Sequence, residues 1–134
     1  MSAEAVGVLE TLLQKTVEYS KTRKQFGTVI GTFQALQHRM ADMFIECQLA
    51  RSIVVMAAMK LDSSADQREK TKAVSAAKSR VGKAIRRVSQ EAVQIHGGIG
   101  VTNELDVGHY FKRATALEIM FGNTDYHVER FASL

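Results

Sequence analysis

Two glycine-containing segments hold most of the residues that could do chemistry. Residues 22 to 37 read TRKQFGTVIGTFQALQ, and residues 94 to 100 read QIHGGIG. Glycines after a helix can be a plain helix stop, because glycine adopts the left-handed conformation that ends many helices. Adjacent glycines also let a backbone approach a ligand closely, because they have no Cβ. The residues alone leave both interpretations open.

The second of these segments does not fit the known phosphate-binding motifs. A helical pattern precedes it, whereas the Rossmann fingerprint and the P-loop both follow a strand. As a helix stop, Gly97 would supply the positive φ, and Gly98 with Gly100 would form the turn that follows.

The first segment has features that a helix end explains only in part. Gly27 and Gly31 break the helix, and the cations Arg23 and Lys24 offset the helix dipole at its C-terminal end. Two aromatic rings and two amides remain, and together they could face a heteroaromatic ligand: Phe26, Phe33, Gln34 and Gln37.

Two long helices with continuous apolar seams separate these segments. Apolar residues alternate at gaps of four and three, which is the helical period. The first seam is Leu36, Met40, Met43, Cys47, Ala50, Val54, Ala57 and Leu61, and the second is Val74, Ala77, Val81, Ala84, Val88, Ala92 and Ile95. The polar turn at residues 62 to 66 contains Ser and Asp residues that suit an N-cap, so the two helices should pack antiparallel.

Three shorter helices complete the pattern. One carries Val6 to Val17 and runs toward Arg23, and its abrupt start suggests a chain taken from a longer protein. Another contains Val107 and Leu117, with Thr102 or Asn103 as its cap, and after a break at residues 121 to 123 a short piece spans residues 125 to 134. No strand is predicted. The expected fold is all-α, an antiparallel up-and-down four-helix bundle with Gly-rich loops and a short C-terminal helix, in one domain of residues 1 to 134.

Composition narrows the functional classes. The chain has 134 residues, a net charge of +4 and one cysteine, so an internal disulfide is impossible and a reducing cytoplasm is expected. No apolar run approaches the ~20 residues of a membrane span, and the N-terminus does not resemble a secretory signal. The histidines have no metal-ligand spacing, and Cys47 falls on the apolar seam.

A basic stripe runs from residue 68 to residue 87, where eight Lys and Arg residues accompany one acidic residue, Glu69. A solvated helix face is the simplest interpretation of the stripe. Nucleic acid, a membrane surface or an anionic cofactor are alternatives, although the stripe lacks the aromatic residues that would stack on bases.

The two segments, in this order, resemble the C-terminal helical domain of the flavin-dependent acyl-CoA dehydrogenases. The matching runs are Arg23-Lys24-Gln25-Phe26-Gly27, Ile30-Gly31-Thr32-Phe33-Gln34-Ala35-Leu36-Gln37, Ala41-Asp42-Met43 and Gln94-Ile95-His96-Gly97-Gly98-Ile99-Gly100. The resemblance covers essentially the whole chain. It implies that the chain is about the last third of a longer protein.

The resemblance also implies a cofactor and partners. In this family the bundles form the core of a tetramer and offer both loops to the FAD of a neighbouring subunit, with Arg23 at the pyrophosphate. The implied FAD contacts are Arg23, Phe26, Gln34, Gln94, Ile95, His96, Gly97, Gly98 and Thr124. Implied partners are an acyl-CoA substrate, an electron-transfer flavoprotein as acceptor, and either further copies of the chain or a related dehydrogenase subunit.

The sequence departs from the family pattern at the catalytic base. Many members read Tyr-Glu-Gly-Thr where this chain reads Phe121-Gly122-Asn123-Thr124, and glycine cannot take a proton. Glu118 and Asp125 each lie about a helical turn from the expected place. Two explanations stay open: the base lies upstream of Met1, or the protein is a non-catalytic assembly subunit of a hetero-oligomeric dehydrogenase.

Overall fold

The computed structural model describes residues 1 to 134 and contains five α-helices. Their bounds are α1 Ser2–Thr22, α2 Gln34–Asp62, α3 Gln67–His96, α4 Val107–Ile119 and α5 Thr124–Ser133. Helices α1 to α4 alternate in direction and form a bundle, and α5 packs against α3. The prediction of an all-α bundle with a short C-terminal helix is confirmed.

Helix α3 lies at the centre of the bundle and contacts all four other helices. Its predicted seam is buried from Ala77 to Ile95 and packs against α1 and α2. The seam is incomplete near the turn between α2 and α3, where Leu61 and Val74 are exposed. These two side chains line an open apolar groove beside the start of α1.

The turn between α2 and α3 contains the predicted cap. The Asp66 carboxylate accepts a hydrogen bond of 2.8 Å from the backbone N–H of Glu69. This bond satisfies one of the free N–H groups of the first turn of α3. The cap therefore fixes where α3 begins and supports its antiparallel return along α2.

Two local predictions are wrong. Residues Lys24–Gln25 (β1) and Thr28–Val29 (β2) pair as a minimal antiparallel hairpin, where no strand was predicted. Helix α4 begins at Val107, because residues Gly97–Val101 form a 3₁₀ turn first. Neither Thr102 nor Asn103 therefore caps α4, and the Thr102 hydroxyl donates to the Ile99 carbonyl oxygen instead.

Gly82 allows α5 to pack tightly on α3. A Cβ at this position would overlap the Thr124 hydroxyl and lie 3.7 Å from Glu118 Cγ. We expect Gly82→Ala to lower the free energy of unfolding by about 1–3 kcal/mol, as overpacked cores do. Gly7→Ala is the matched control, since nothing lies within 4 Å of that position in α1, and it should raise stability by about 0.5–1 kcal/mol. Urea unfolding measures both, and equal stabilisation by the two variants would contradict this packing.

Candidate functional site

The two glycine-containing segments lie at the same end of the bundle. The rings of Tyr19 and His96 stack with their centroids 4.4 Å apart, and the Tyr19 hydroxyl donates to the His96 carbonyl oxygen at 3.4 Å. These contacts join the last turns of α1 and α3. The loops that follow the two helices are thereby brought together, and we call this surface the loop end.

The hairpin of the loop end presents an aromatic ring to solvent. Phe26 has a φ of 56° and Gly27 a φ of 79°, which is the pattern of a type I′ turn. A left-handed conformation is strained for a residue other than glycine, and the Phe26 side chain is 92% exposed. Its ring forms a T-shaped pair with that of Phe33, with 6.2 Å between the ring centroids. The hairpin thus keeps the Phe26 side chain at the surface, exposed to solvent.

Several polar groups at the loop end have no partner in the domain. The chain has nine arginines, and only Arg23 and Arg130 make neither a hydrogen bond nor an ion pair through their side chains. Gln34 and Gln94 are exposed, and their amides are also free. Gln37 differs from them, because its amide donates to the Gly31 carbonyl oxygen at 2.9 Å. Gln37 therefore holds the loop together.

Gly97 and Gly98 have different roles. Gly97 ends α3 with a φ of 67°, and its N–H donates to the carbonyl oxygens of Gln94 and Val93. Gly98 is exposed, lies outside the left-handed region, and would have nothing within 4 Å of an added Cβ. The helix stop explains Gly97. Nothing inside the domain requires glycine at position 98. The space beside its backbone is open, so a molecule outside the domain can approach closely there.

Two of the implied FAD contacts point their side chains inward. Ile95 is 6% and His96 is 5% exposed, and Nδ1 of His96 donates to the Ala92 carbonyl oxygen at 2.7 Å. The side chains of these two residues are therefore not available for contact with a bound cofactor.

Thr124 is separated from the loop end. It packs on Gly82, which lies 14 residues before His96 on α3, a distance of about 21 Å at 1.5 Å per residue. The implied contacts thus form two groups, one at the loop end and one at the start of α5.

A buried charged cluster fixes the start of α5. One oxygen of Glu118, Oε1, accepts hydrogen bonds from the Thr124 N–H at 3.2 Å and from its hydroxyl at 2.9 Å. Arg86 lies 3.3 Å from the same oxygen. Lys78 is buried and donates to the carbonyl oxygens of Leu117 and Glu118. Burial lowers the pKa of Lys78, and the Glu118 carboxylate opposes that shift.

The turn at residues 121 to 123 cannot hold a glutamate without rearrangement. Gly122 has a φ of 97°, and an added Cβ would overlap the ring of Tyr126, whose Cε1 would lie 2.9 Å away. Of the two nearby carboxylates, Glu118 is occupied with Thr124, whereas Asp125 is exposed and has no partner. The catalytic residue stays unassigned.

Five residues of the basic stripe make polar contacts within the domain. Arg80 lies 2.6 Å from Glu46, and Arg87 lies 2.7 Å from Asp42. Arg68 bonds to the carbonyl oxygen of Leu134, Lys78 belongs to the buried cluster, and Arg86 reaches Glu118 from the surface with its side chain 62% exposed. The interpretation of the stripe as a solvated face is right for Arg68, Arg86 and Arg87, which are exposed although each has a partner. It is wrong for Lys78, which is buried.

Two buried histidines make stability depend on pH. Burial lowers the pKa of His96 and of His127 below the ordinary value of about 6.5, and His127 bonds to the Phe121 carbonyl oxygen at 3.0 Å. Below pH 6.5 the unfolded chain binds protons that the folded chain does not. We expect the free energy of unfolding to fall as pH is lowered from 7 to 5.5, by at most about 1.4 kcal/mol per pH unit per histidine.

The matched variant for this effect is His96→Asn with His127→Gln, which keeps the two donor positions but cannot titrate. Urea unfolding at several pH values should give a flatter dependence for the double variant. An unchanged slope would show that other groups carry the pH dependence.

No helix in the structure is both long enough and apolar enough to cross a bilayer. No three His, Cys, Asp or Glu side chains are grouped as metal ligands.

Comparison with known proteins places the chain in a family. Residues 1–133 match the family model described as the C-terminal domain of acyl-CoA dehydrogenase. The acyl-CoA dehydrogenase IpdE2 of Mycolicibacterium smegmatis is 46% identical over 114 residues, which are 85% of this chain and 34% of that protein.

Solved structures agree with this match. A chain of the ChsE4-ChsE5 complex from Mycobacterium tuberculosis superposes with a TM-score of 0.92 at 33% identity, over 98% of this chain and 35% of that one. An FAD-dependent dehydrogenase superposes with a TM-score of 0.91 at 30% identity, over 98% and 35%. The chain spans about one third of the length of these relatives. It belongs to the acyl-CoA dehydrogenase family and corresponds to the C-terminal helical domain.

Proposed function

We propose that this chain is the C-terminal domain of an FAD-dependent acyl-CoA dehydrogenase and that its loop end contacts the FAD of a neighbouring subunit. The observation that carries the proposal is the set of unused groups at the loop end. A free guanidinium at Arg23, an exposed ring at Phe26 and an open backbone at Gly98 lie on one surface. None of the three is explained by the stability of the domain.

These groups fit the chemistry of the cofactor. A guanidinium donates to phosphate oxygens in a fixed fork, which suits Arg23 to the pyrophosphate. The free amides of Gln34 and Gln94 can bond to heteroaromatic edges, and the exposed backbone of Gly97 and Gly98 can approach the adenosine half. When bound, the flavin would accept a hydride from the β carbon of an acyl-CoA thioester. We propose that Thr124, at the start of α5, also contacts the FAD.

The family reaction also needs a carboxylate to take the α proton. Because the turn at Gly122 excludes a glutamate side chain, we propose that this carboxylate lies elsewhere in the longer protein. Relatives named as dehydrogenases favour this over the assembly-subunit alternative. From the family we also propose an acyl-CoA thioester as the substrate and an electron-transfer flavoprotein as the electron acceptor. The proposed location is the cytoplasm.

We further propose that α2 forms the self-association surface of the protein. Four apolar side chains on the outer side of α2 repeat at helical spacing and are 42% to 69% exposed: Ile45, Leu49, Met56 and Met59. They lie opposite the buried seam, so α2 is apolar on two sides. A helix of that kind is normally covered on both sides, and a second copy of α2 supplies a matching surface.

The association prediction is a dimer or tetramer of the 134-residue chain at micromolar concentrations. Leu49→Glu with Met56→Glu should give a monomer, because a symmetric contact would bury like charges against each other. Val101→Glu changes an exposed apolar residue outside α2 and serves as the control. Sedimentation velocity distinguishes these states, and a monomeric parent chain would refute the proposed surface.

The function is tested with the longer protein expressed from its gene. We expect bound flavin in the visible spectrum, and anaerobic addition of a panel of acyl-CoA thioesters should bleach it with at least one member. The 134-residue chain alone should give no turnover. Bound flavin that bleaches only after co-expression of a second subunit would support the assembly-subunit alternative, and no flavin under either condition would refute the proposal.

A further inference from the structure

A second polar site lies between α3 and α4, away from the loop end. It is a pocket of about 180 Å³ lined by residues that include Ile85, Phe111 and Thr115. Arg86 also lines it, ten residues before His96 on α3, which is about 15 Å along the helix. The pocket is therefore distinct from the loop end.

Two buried side chains in this pocket have unused hydrogen-bonding capacity. Glu118 is 8% exposed, and its three contacts all use Oε1, so Oε2 has no partner. Ser89 is 2% exposed, and its hydroxyl makes no hydrogen bond in the domain. Both free atoms are open to the pocket and are not sealed from solvent by the protein. An acceptor and a hydroxyl left free in one pocket indicate that a ligand can bond to both.

The charges in the pocket favour a neutral ligand. Arg86 already compensates the Glu118 carboxylate at 3.3 Å. A ligand carboxylate would be repelled by Glu118, and a ligand cation would bring an uncompensated charge into a partly buried space. The apolar walls at Ile85 and Phe111 suit a short hydrocarbon body.

We infer that this pocket binds a small neutral organic group that both donates and accepts hydrogen bonds, an amide or a hydroxyl, with its donor on Glu118 Oε2 and its acceptor on Ser89. A group of this kind satisfies both free atoms at once. The inference is independent of the proposed dehydrogenase activity, because it uses none of the loop-end residues.

Butyramide is a suitable probe, and 2-pentanone is its matched control, since a methyl group replaces the amide NH₂. We expect saturable ¹⁵N–¹H shift changes at Ile85, Ser89 and Thr115 when the 134-residue chain is titrated with butyramide. A dissociation constant of about 1–10 mM is reasonable for six heavy atoms. Binding of 2-pentanone and of butyrate should be at least tenfold weaker.

Two variants test the assignment of atoms. Glu118→Gln can keep an acceptor for Thr124 while replacing Oε2 with an NH₂ group, and should weaken butyramide binding at least tenfold. Thr115→Trp fills the mouth of the pocket from an exposed position and should abolish the shifts, whereas the exposed Glu129→Gln should leave them unchanged. Absence of saturable shifts up to 100 mM, equal binding of 2-pentanone, or full affinity in Glu118→Gln would overturn the inference.

Discussion

Replacing Glu118 with leucine is expected to lower the free energy of unfolding by about 3 kcal/mol or more. The substitution removes the carboxylate that holds the N–H and hydroxyl of Thr124, and it leaves the buried Lys78 ammonium without its nearby negative charge. Leaving a buried donor without a partner typically costs about 1–3 kcal/mol, and the two Thr124 donors lose theirs together. We expect α5 to detach first, because Glu118 satisfies the start of that helix.

Two comparisons separate this effect from the loss of an ordinary surface charge. Glu118→Gln can keep one acceptor oxygen for Thr124 and should cost less than the leucine variant. Glu10→Leu removes the partner of Arg51 in an ion pair whose side chains are 41% and 64% exposed, and should cost less than about 1 kcal/mol. Chemical unfolding of the three variants is the measurement. A Glu118→Leu effect no larger than that of Glu10→Leu would show that the buried cluster contributes little.

The second large effect is expected at Gly98 in the longer protein. Gly98→Val places a branched side chain in open space, so the stability of the domain should change by less than about 0.5 kcal/mol. The same side chain would hold a cofactor away from the backbone, and FAD affinity should fall at least tenfold. Gly97→Ala should instead lose about 1–2 kcal/mol of stability through its φ of 67°.

The two glycines can be compared by thermal unfolding of the 134-residue chain and by flavin retention in the longer protein. Equal loss of stability at both positions would mean that the glycines serve only as a helix stop. Full flavin retention in Gly98→Val would show that FAD does not contact the backbone at this position.

The sequence predicted the long helices and their antiparallel packing well, because buried helices are revealed by the spacing of their apolar residues. The seams containing Met43 and Val81 repeat at helical spacing and are buried as expected. The Asp66 cap and the left-handed Gly97 follow from local chemistry that adjacent residues display. These features depend on few neighbours, and a single sequence is sufficient to reveal them.

The features that were missed depend on residues distant in sequence or on strain. Phe26 adopts a left-handed φ that its residue type disfavours, so the hairpin gave no signal. The partners of Arg80 and Arg87 are on α2, 34 and 45 residues away in the sequence, so the pattern of the stripe did not reveal these ion pairs. The role of Glu118 was also hidden, because it requires α5 to fold back onto α3 past Gly82.

The outer seam of α2 was present in the sequence but was not distinguished from the inner one. Leu49 and Met56 share a helical spacing with Ile45 and Met59, and all four are exposed in the monomer. When a helix is apolar on two sides, the stronger apolar pattern hides the weaker one in the sequence.

The most direct test of the central claim is FAD titration of the longer apoprotein carrying Arg23→Gln, beside Arg51→Gln as a control. Arg23 has no partner in the domain, whereas Arg51 pairs with Glu10 on the surface. We predict at least a tenfold weaker dissociation constant for FAD in Arg23→Gln and no change in Arg51→Gln, at equal stability. Unchanged FAD affinity in Arg23→Gln would contradict the assignment of the loop end to the cofactor.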